Sequence, residues 1–244
     1  MNISGLQKTT LLDYPGHVAA TIFLGGCNFR CPFCHNMNIV KGIETEIIDN
    51  DEILAFLNKR AGVLDGVCIT GGEPTIYNDL PDFIKRIKKI KKPNGNKYLV
   101  KLDTNGTNPE MLEKLLADEL IDYIAMDIKA SEEKYALVSG LSMRSDSNEE
   151  KELINTIKKS IYIIMNSGID YEFRTTIVSQ FHDEETVHGV GKLIKGAIAH
   201  YLQSFTDSEY IEDHNLTAVD KETIYKYADI MNKYVQTASV RGVD

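Results

Sequence analysis

The chain has 244 residues, 43% hydrophobic and 26% charged, with 27 basic and 36 acidic side chains and a net charge of −9. This is the composition of a soluble globular protein; the acidic balance argues against a nucleic-acid binder, and no apolar run approaches the ~20 residues needed to cross a bilayer. Residues 1–10 hold no apolar signal-peptide core, and three of the four cysteines crowd into one short segment, a pattern that in a reducing cytosol points to metal rather than disulfides, so the expected compartment is the cytoplasm.

After the turn Asp13-Tyr14-Pro15-Gly16, residues 18–24 are almost wholly apolar and predict a strand buried on both faces, as in a parallel sheet. The cysteine segment follows. Asp49 or Asn50 then caps a helix that carries Ile53, Leu54 and Leu57 at helical spacing. Residues 66–70 predict a second strand, and residues 80–91 a helix with Phe83, Ile84, Ile87 and Ile90 turned inward. Residues 98–102 predict a third strand. Pro109, at a first helical position, opens a helix with Met111, Leu112, Leu115 and Leu116 on its apolar face. Strand patterns recur at 123–126, 169–178 and 200–205, and helical patterns at 149–167 and 184–195. Asp220 caps a last helix, and 239–241 reads as a final strand.

Strand and helix therefore alternate about six times, which argues for a parallel sheet with right-handed crossovers. Six units with long loops predict an α/β fold, a partial (β/α)6 TIM-like barrel of parallel strands rather than a closed eightfold one. A flat doubly wound sheet is the alternative. No linker composition interrupts the chain, so residues 1–244 are expected to form a single domain, with its core at about 17–205 and a terminal helix and short strand in 206–244. Both architectures gather ligands at the carboxyl ends of the strands, where the chain's unusual residues fall.

The first of these is the segment 25–36, Gly-Gly-Cys-Asn-Phe-Arg-Cys-Pro-Phe-Cys-His-Asn. Cys27, Cys31 and Cys34 are spaced C-x3-C-x2-C, and three soft thiolates so close together can hold one iron–sulfur cluster. Three ligands leave one iron of a four-iron cubane open. The competing reading is a structural zinc site, which needs a fourth ligand, Cys68 or His35. Cys68 lies between Val67 and Ile69 in mid-strand, where a cysteine packs as a small hydrophobe, and no second C-x-x-C pair exists. Gly71-Gly72-Glu73-Pro74 follows strand two and reads as a turn or as a place where a ligand nears the backbone. Asp103-Thr104-Asn105-Gly106 follows strand three. Asp127 and Lys129 share a face after strand four and read as a surface ion pair or a polar site. Arg174 is a charge inside a strand and requires an anionic partner. The basic run of residues 85–92 has isoleucines at helical spacing and reads as a solvated helix face. Residues 131–150 form a polar loop, charged over 144–150, with no assignable role.

The cysteine triad ending Cys-His-Asn resembles the radical S-adenosylmethionine superfamily. Gly-Leu-Gln-Lys-Thr-Thr-Leu-Leu-Asp-Tyr-Pro-Gly at 5–16, Leu-Asp-Thr-Asn-Gly at 102–106, Met-Asp-Ile-Lys at 126–129 and Tyr-Glu-Phe-Arg-Thr-Thr at 171–176 resemble one branch of it. That branch is the anaerobic ribonucleoside-triphosphate reductase activating proteins, close to pyruvate formate-lyase activating enzyme. The resemblance runs from about residue 5 to 205. It implies that Cys27, Cys31 and Cys34 ligate a [4Fe–4S] cluster whose open iron takes the amino and carboxylate groups of S-adenosylmethionine. It further implies that Gly71, Gly72 and Glu73 line the methionine moiety. Asp103, Thr104 and Asp127 would stand near its amino group or near a monovalent cation. Lys129 and Arg174 would balance its polar groups, and Phe33 would face the adenine.

The implied activity is reductive cleavage of S-adenosylmethionine to a 5′-deoxyadenosyl radical that takes a Cα hydrogen from a glycine of a partner. The implied partners are a glycyl radical enzyme, such as anaerobic ribonucleotide reductase, and an electron donor such as flavodoxin or ferredoxin; nucleic acid and membrane are not expected. The absence of a further cysteine cluster argues against activases with additional iron–sulfur domains. The other readings are a radical enzyme acting on another protein, a peptide or a small molecule, and a zinc-stabilised binding module without catalysis.

Overall fold

The structure, a computed structural model, describes residues 1–43, 47–141, 147–211 and 213–243. The chain packs as two compact units. One comprises Met1–Asn28, Asn38–Thr104 and Glu110–Ile124; the other comprises Phe29–Met37, Asn105–Pro109 and Ala125–Asp244.

The first unit opens with β1 (Ile3–Thr10) antiparallel to β2 (Ala19–Leu24), with Ile3 opposite Leu24. β2 then pairs in parallel with β3 (Gly66–Gly71), and β3 with β4 (Leu99–Thr104). Ala19, Ala20, Ile22, Val67, Cys68, Ile69, Val100 and Leu102 are all fully buried. Strands covered on both faces need apolar residues at consecutive positions, as the sequence had suggested for 18–24. Each valine, isoleucine and leucine among them contributes about 1.5–3 kcal/mol relative to an exposed one. Between the strands lie α1 (Met37–Lys41), α2 (Asn50–Lys59) and α3 (Leu80–Lys88), followed by α4 (Pro109–Ala117). Asp49 caps α2 by accepting from Asp51 N–H at 2.7 Å. On α3, Phe83, Ile84 and Ile87 are buried while Lys85 pairs with Asp118 and Arg86 with Asp51 in the open. Only the first part of the basic run is a solvated helix face, since α3 ends at Lys88 and Lys92 beyond it is buried, donating to Asp65 O at 3.2 Å.

β5 (Tyr123–Asp127) leads to a 3-10 turn at Glu132–Lys134, α5 (Tyr135–Val138) and α6 (Ser147–Met165). The segment 131–150, expected as a polar loop, thus holds the 3-10 turn, α5 and the start of α6, and its residues 142–146 lie outside the described ones. In the second unit β6 (Asp170–Ile177), β7 (Ala199–Ser204) and β8 (Thr237–Arg241) run parallel. α7 (Glu184–Leu193) and α8 (Lys221–Met231) connect them, capped by Asp183 and Asp220. Thr175, Ile177, His200 and Leu202 of these strands meet Val187, Val190 and Met231 of the helices. Among the described residues no helix is long and apolar enough to cross a membrane.

The α/β alternation and the parallel sheet match the expectation. β1 was not anticipated. Its sequence, with Gly5, Lys8 and three exposed positions, has no clean alternation, as befits an edge strand that buries little.

Candidate functional site

In the first unit the residues of interest stand at the ends of β2, β3 and β4. Cys27 follows β2 by three residues, through Gly25 and Gly26. The segment after β3 lies directly on that approach: Gly72 N–H donates to Leu24 O at 2.8 Å and Glu73 N–H to Gly26 O at 3.0 Å. Both glycines are forced by this packing. Gly71 has φ +119°, and a Cβ there would sit 2.3 Å from Leu24 O. On Gly72 it would sit 1.7 Å from Gly26 O. The sequence suggested that these glycines let a ligand approach; the space beside them is filled by the backbone that leads to Cys27.

Glu73 is fully buried. Its Oε1 accepts from Thr75 N–H at 3.0 Å, Thr75 Oγ1 at 2.6 Å and Thr104 Oγ1 at 2.8 Å. A buried carboxylate with this many donors is held in one orientation. Thr75 was missed in the sequence, although Glu-Pro-Thr before a short helical turn is a capping pattern. Asp103 lies 3.3 Å from Lys101 Nζ. Lys101 is itself buried, donates to the carbonyl of Asp13 and stands over the ring of Tyr123. Thr21 Oγ1 donates to the Asp13 carboxylate. The Asp-Tyr-Pro-Gly turn is thereby tied to β4.

In the second unit Asp127, Lys129 and Arg174 come together. Arg174 Nε donates to Asp127 Oδ1 and Lys129 Nζ to Oδ2, each at 2.9 Å. The anionic partner required by Arg174 is therefore Asp127. Burial alone would raise the Asp127 pKa, but Arg174 and then Lys129 pull it well below the carboxylate range. Lys129 is disfavoured as a cation by burial, yet Asp127 and then Cys31 hold its pKa above the ordinary lysine value.

Cys31 and Cys34 also belong to this unit. The Cys34 thiol is pushed up by burial and drawn back by the Asn36 backbone hydrogen bond, with Lys129 and Arg30 acting in the same direction. Cys34 N–H donates to Cys31 O at 3.1 Å and Arg30 N–H to Ser139 O at 2.9 Å. Phe33 is buried with its ring 6.1 Å from that of Phe181.

Sequence reasoning also missed His182. Buried, it accepts from Val178 N–H at Nδ1 at 3.1 Å, and its Nε2 lies 2.9 Å from Lys129 O. That pattern fits a neutral ring protonated at Nε2. Burial lowers its pKa. His182 fixes the backbone of Lys129 without touching its charge.

All four cysteines are thiols. Among the described residues no three His, Cys, Asp or Glu side chains, the cysteines included, are drawn together as a metal site. Three thiols within eight residues of chain, with Cys31 and Cys34 also under the charge of Lys129, are by their chemistry a donor set suited to a soft iron–sulfur cluster. The residues present fit such a group.

Compared with known proteins, residues 21–195 match the model described as the Radical SAM superfamily. The chain is 34% identical over 248 residues to a candidate glycyl-radical enzyme activating enzyme of Methanocaldococcus jannaschii, covering 99% of this chain and 96% of that protein. It is 25% identical to the pyruvate formate-lyase-activating enzyme of Clostridium pasteurianum, over 93% of this chain and 90% of that one. Among solved structures, a radical SAM methyltransferase from Sphaerobacter thermophilus superposes with a TM-score of 0.69 at 16% identity, over 93% of this chain and 67% of that one. At that identity the likeness is one of fold.

Proposed function

Because the chain belongs to the radical SAM superfamily and to its glycyl-radical enzyme activating family, we propose that it generates a glycyl radical on a partner enzyme, and that the partner is an anaerobic ribonucleoside-triphosphate reductase. Membership brings S-adenosylmethionine and an iron–sulfur cluster as cofactors. The observation that carries the activase reading is the near end-to-end match to activating enzymes. The reductase as partner rests on the ordered motifs at 5–16, 102–106, 126–129 and 171–176.

In this reading Cys27, Cys31 and Cys34 hold a [4Fe–4S] cluster. When bound, the cluster and S-adenosylmethionine would supply the one-electron chemistry needed to remove a hydrogen atom from a glycine of the partner. The chain's own residues bind and orient. Glu73, Thr104 and Asp103 offer oxygen acceptors to an ammonium group, and the hydrogen bonds on Glu73 keep its carboxylate from rotating. Lys129 and Arg174 offer cationic donors to a carboxylate, with Asp127 fixing their direction. Phe33 offers an apolar face to a purine. Flavodoxin or ferredoxin is the proposed electron source, and the cytoplasm the proposed compartment.

The test is anaerobic reconstitution with S-adenosylmethionine, dithionite and the candidate reductase. Formation of 5′-deoxyadenosine together with a glycyl radical in the EPR spectrum is expected. Deoxyadenosine without a glycyl radical would reject this partner and leave the radical SAM chemistry standing. Zinc in place of iron and sulfide in anaerobically purified protein would reject the enzyme reading as a whole.

A further inference from the structure

The backbone that delivers Cys27 is Leu24-Gly25-Gly26, and each of its three carbonyls accepts a hydrogen bond from the segment after β3. Two of the donors are backbone: Gly72 N–H on Leu24 O and Glu73 N–H on Gly26 O. The middle carbonyl is taken by a side chain, with the Tyr77 hydroxyl donating to Gly25 O at 2.7 Å. Tyr77 directly follows the Pro74–Ile76 turn that Glu73 caps through Thr75 N–H. A methyl group built on Gly26 would lie 3.5 Å from Ile76 and 3.9 Å from the Tyr77 hydroxyl, so this segment lines the Gly-Gly approach along its length. The sequence around Tyr77 carries no motif, and the proposed chemistry makes no use of it.

We propose that Tyr77 is a positioning residue for the metal cluster, its hydroxyl fixing the Gly25 carbonyl and with it the direction in which Cys27 presents its thiolate. This rests on the reading of Cys27 as a cluster ligand. Two successive glycines are the most pliable backbone a chain can have, and a ligand mounted on them is only as well aimed as the groups that hold them. Groups that hydrogen-bond a metal's ligands are worth roughly 10–100-fold in metal retention, and Tyr77, which acts one step further out on the backbone carrying the ligand, is expected at the lower end. The Gly-Gly-Glu segment thus serves the first cysteine as well as any cofactor beside it.

Tyr77→Phe keeps the ring and removes the hydroxyl. Wild type, Tyr77→Phe and the exposed-site control Tyr162→Phe would be reconstituted anaerobically. Iron release to a ferrous chelator, the EPR spectrum of the reduced cluster and the thermal midpoint of the iron-free proteins would be measured. Iron release roughly tenfold faster in Tyr77→Phe, with an altered EPR spectrum and an unchanged iron-free midpoint, is expected; Tyr162→Phe should match wild type throughout. Wild-type release and spectrum in Tyr77→Phe would overturn the proposal. So would a lowered midpoint with unchanged release, since the hydroxyl would then serve only the fold. Failure of wild type to take up iron would overturn the reading of Cys27 itself.

Discussion

Asp127 carries two cations on one carboxylate, and its protonation is coupled to stability. Its pKa in the fold is depressed by Arg174 and Lys129 against the upward push of burial. The stabilisation is therefore present above the ordinary carboxylate value of about 4 and is lost as pH falls below it. Asp127→Asn leaves two half-buried cations without their anion. After allowance for partial solvent screening, a loss of about 2 kcal/mol at pH 7 is expected. Urea midpoints at pH 7 and pH 3.5 check it, and the difference between variant and wild type should be smaller at the lower pH. His200 acts in a different window. It is buried with Nε2 3.0 Å from Thr175 Oγ1, and burial drives its pKa down to about 3. The fold thus keeps the ring neutral while the unfolded chain takes up a proton below about 6.5. Stability is complete above that pH and falls toward pH 3 by up to about 1.4 kcal/mol per unit. His182, also lowered, adds to the same loss. In His200→Phe the decline between pH 6 and pH 4.5 should be shallower than in wild type; an identical slope would show that His200 does not contribute.

At the scale of elements, one guanidinium binds the last three strands together. Arg241 of β8 donates from Nη1 and Nη2 to the two oxygens of the fully buried Glu172 of β6, at 3.0 and 2.9 Å. On the way it crosses the ring of Tyr201 on β7 at 3.3 Å from the centroid. A two-pronged contact stacked on an aromatic ring is something lysine cannot reproduce. Arg241→Met should cost about 2 kcal/mol or more, chiefly by leaving the Glu172 carboxylate buried without its cation. Converting Glu172 to Met in the same chain should restore part of the loss. A double-mutant cycle by urea unfolding measures the coupling, and strictly additive losses would show that the pair contributes no more than its separate side chains.

For the whole molecule, the reading of Cys27, Cys31 and Cys34 as cluster ligands makes Cys31→Ala the decisive variant, and it is expected to abolish S-adenosylmethionine cleavage. Chromatography for 5′-deoxyadenosine checks this, and a normal rate would locate the cluster elsewhere. Much of the molecule was legible beforehand because its signals are local. Continuous apolar runs marked β2 and β3, and aspartates marked the starts of α2 and α8. The C-x3-C-x2-C spacing is complete within eight residues. What could not be read depends on long-range geometry. The partner of Arg174 lies 47 residues away at Asp127, and Glu73 meets Thr104 across 31. His182 looks like any loop histidine until β5 and β6 bring Lys129 O to its ring. The crowding of Gly71 and Gly72 by Leu24 and Gly26 exists only once the strands have paired, so no reading of the sequence could supply it.

The three gripped carbonyls before Cys27 also bear on how the chain moves there. A trans peptide is a rigid plate with its carbonyl on one edge and its N–H on the other. The plate joining Leu24 to Gly25 is held at one edge by Gly72 and at the other by Asn2 O, which accepts from Gly25 N–H at 2.8 Å. The next plate is held by Tyr77 and by Ile39 O, which accepts from Gly26 N–H at 3.2 Å. A plate pinned along one edge can still rotate about the flanking Cα atoms in a crankshaft motion; pinned along both, it cannot rotate without breaking two hydrogen bonds together. The glycine pair that would elsewhere act as a hinge is therefore clamped into a stiff mount.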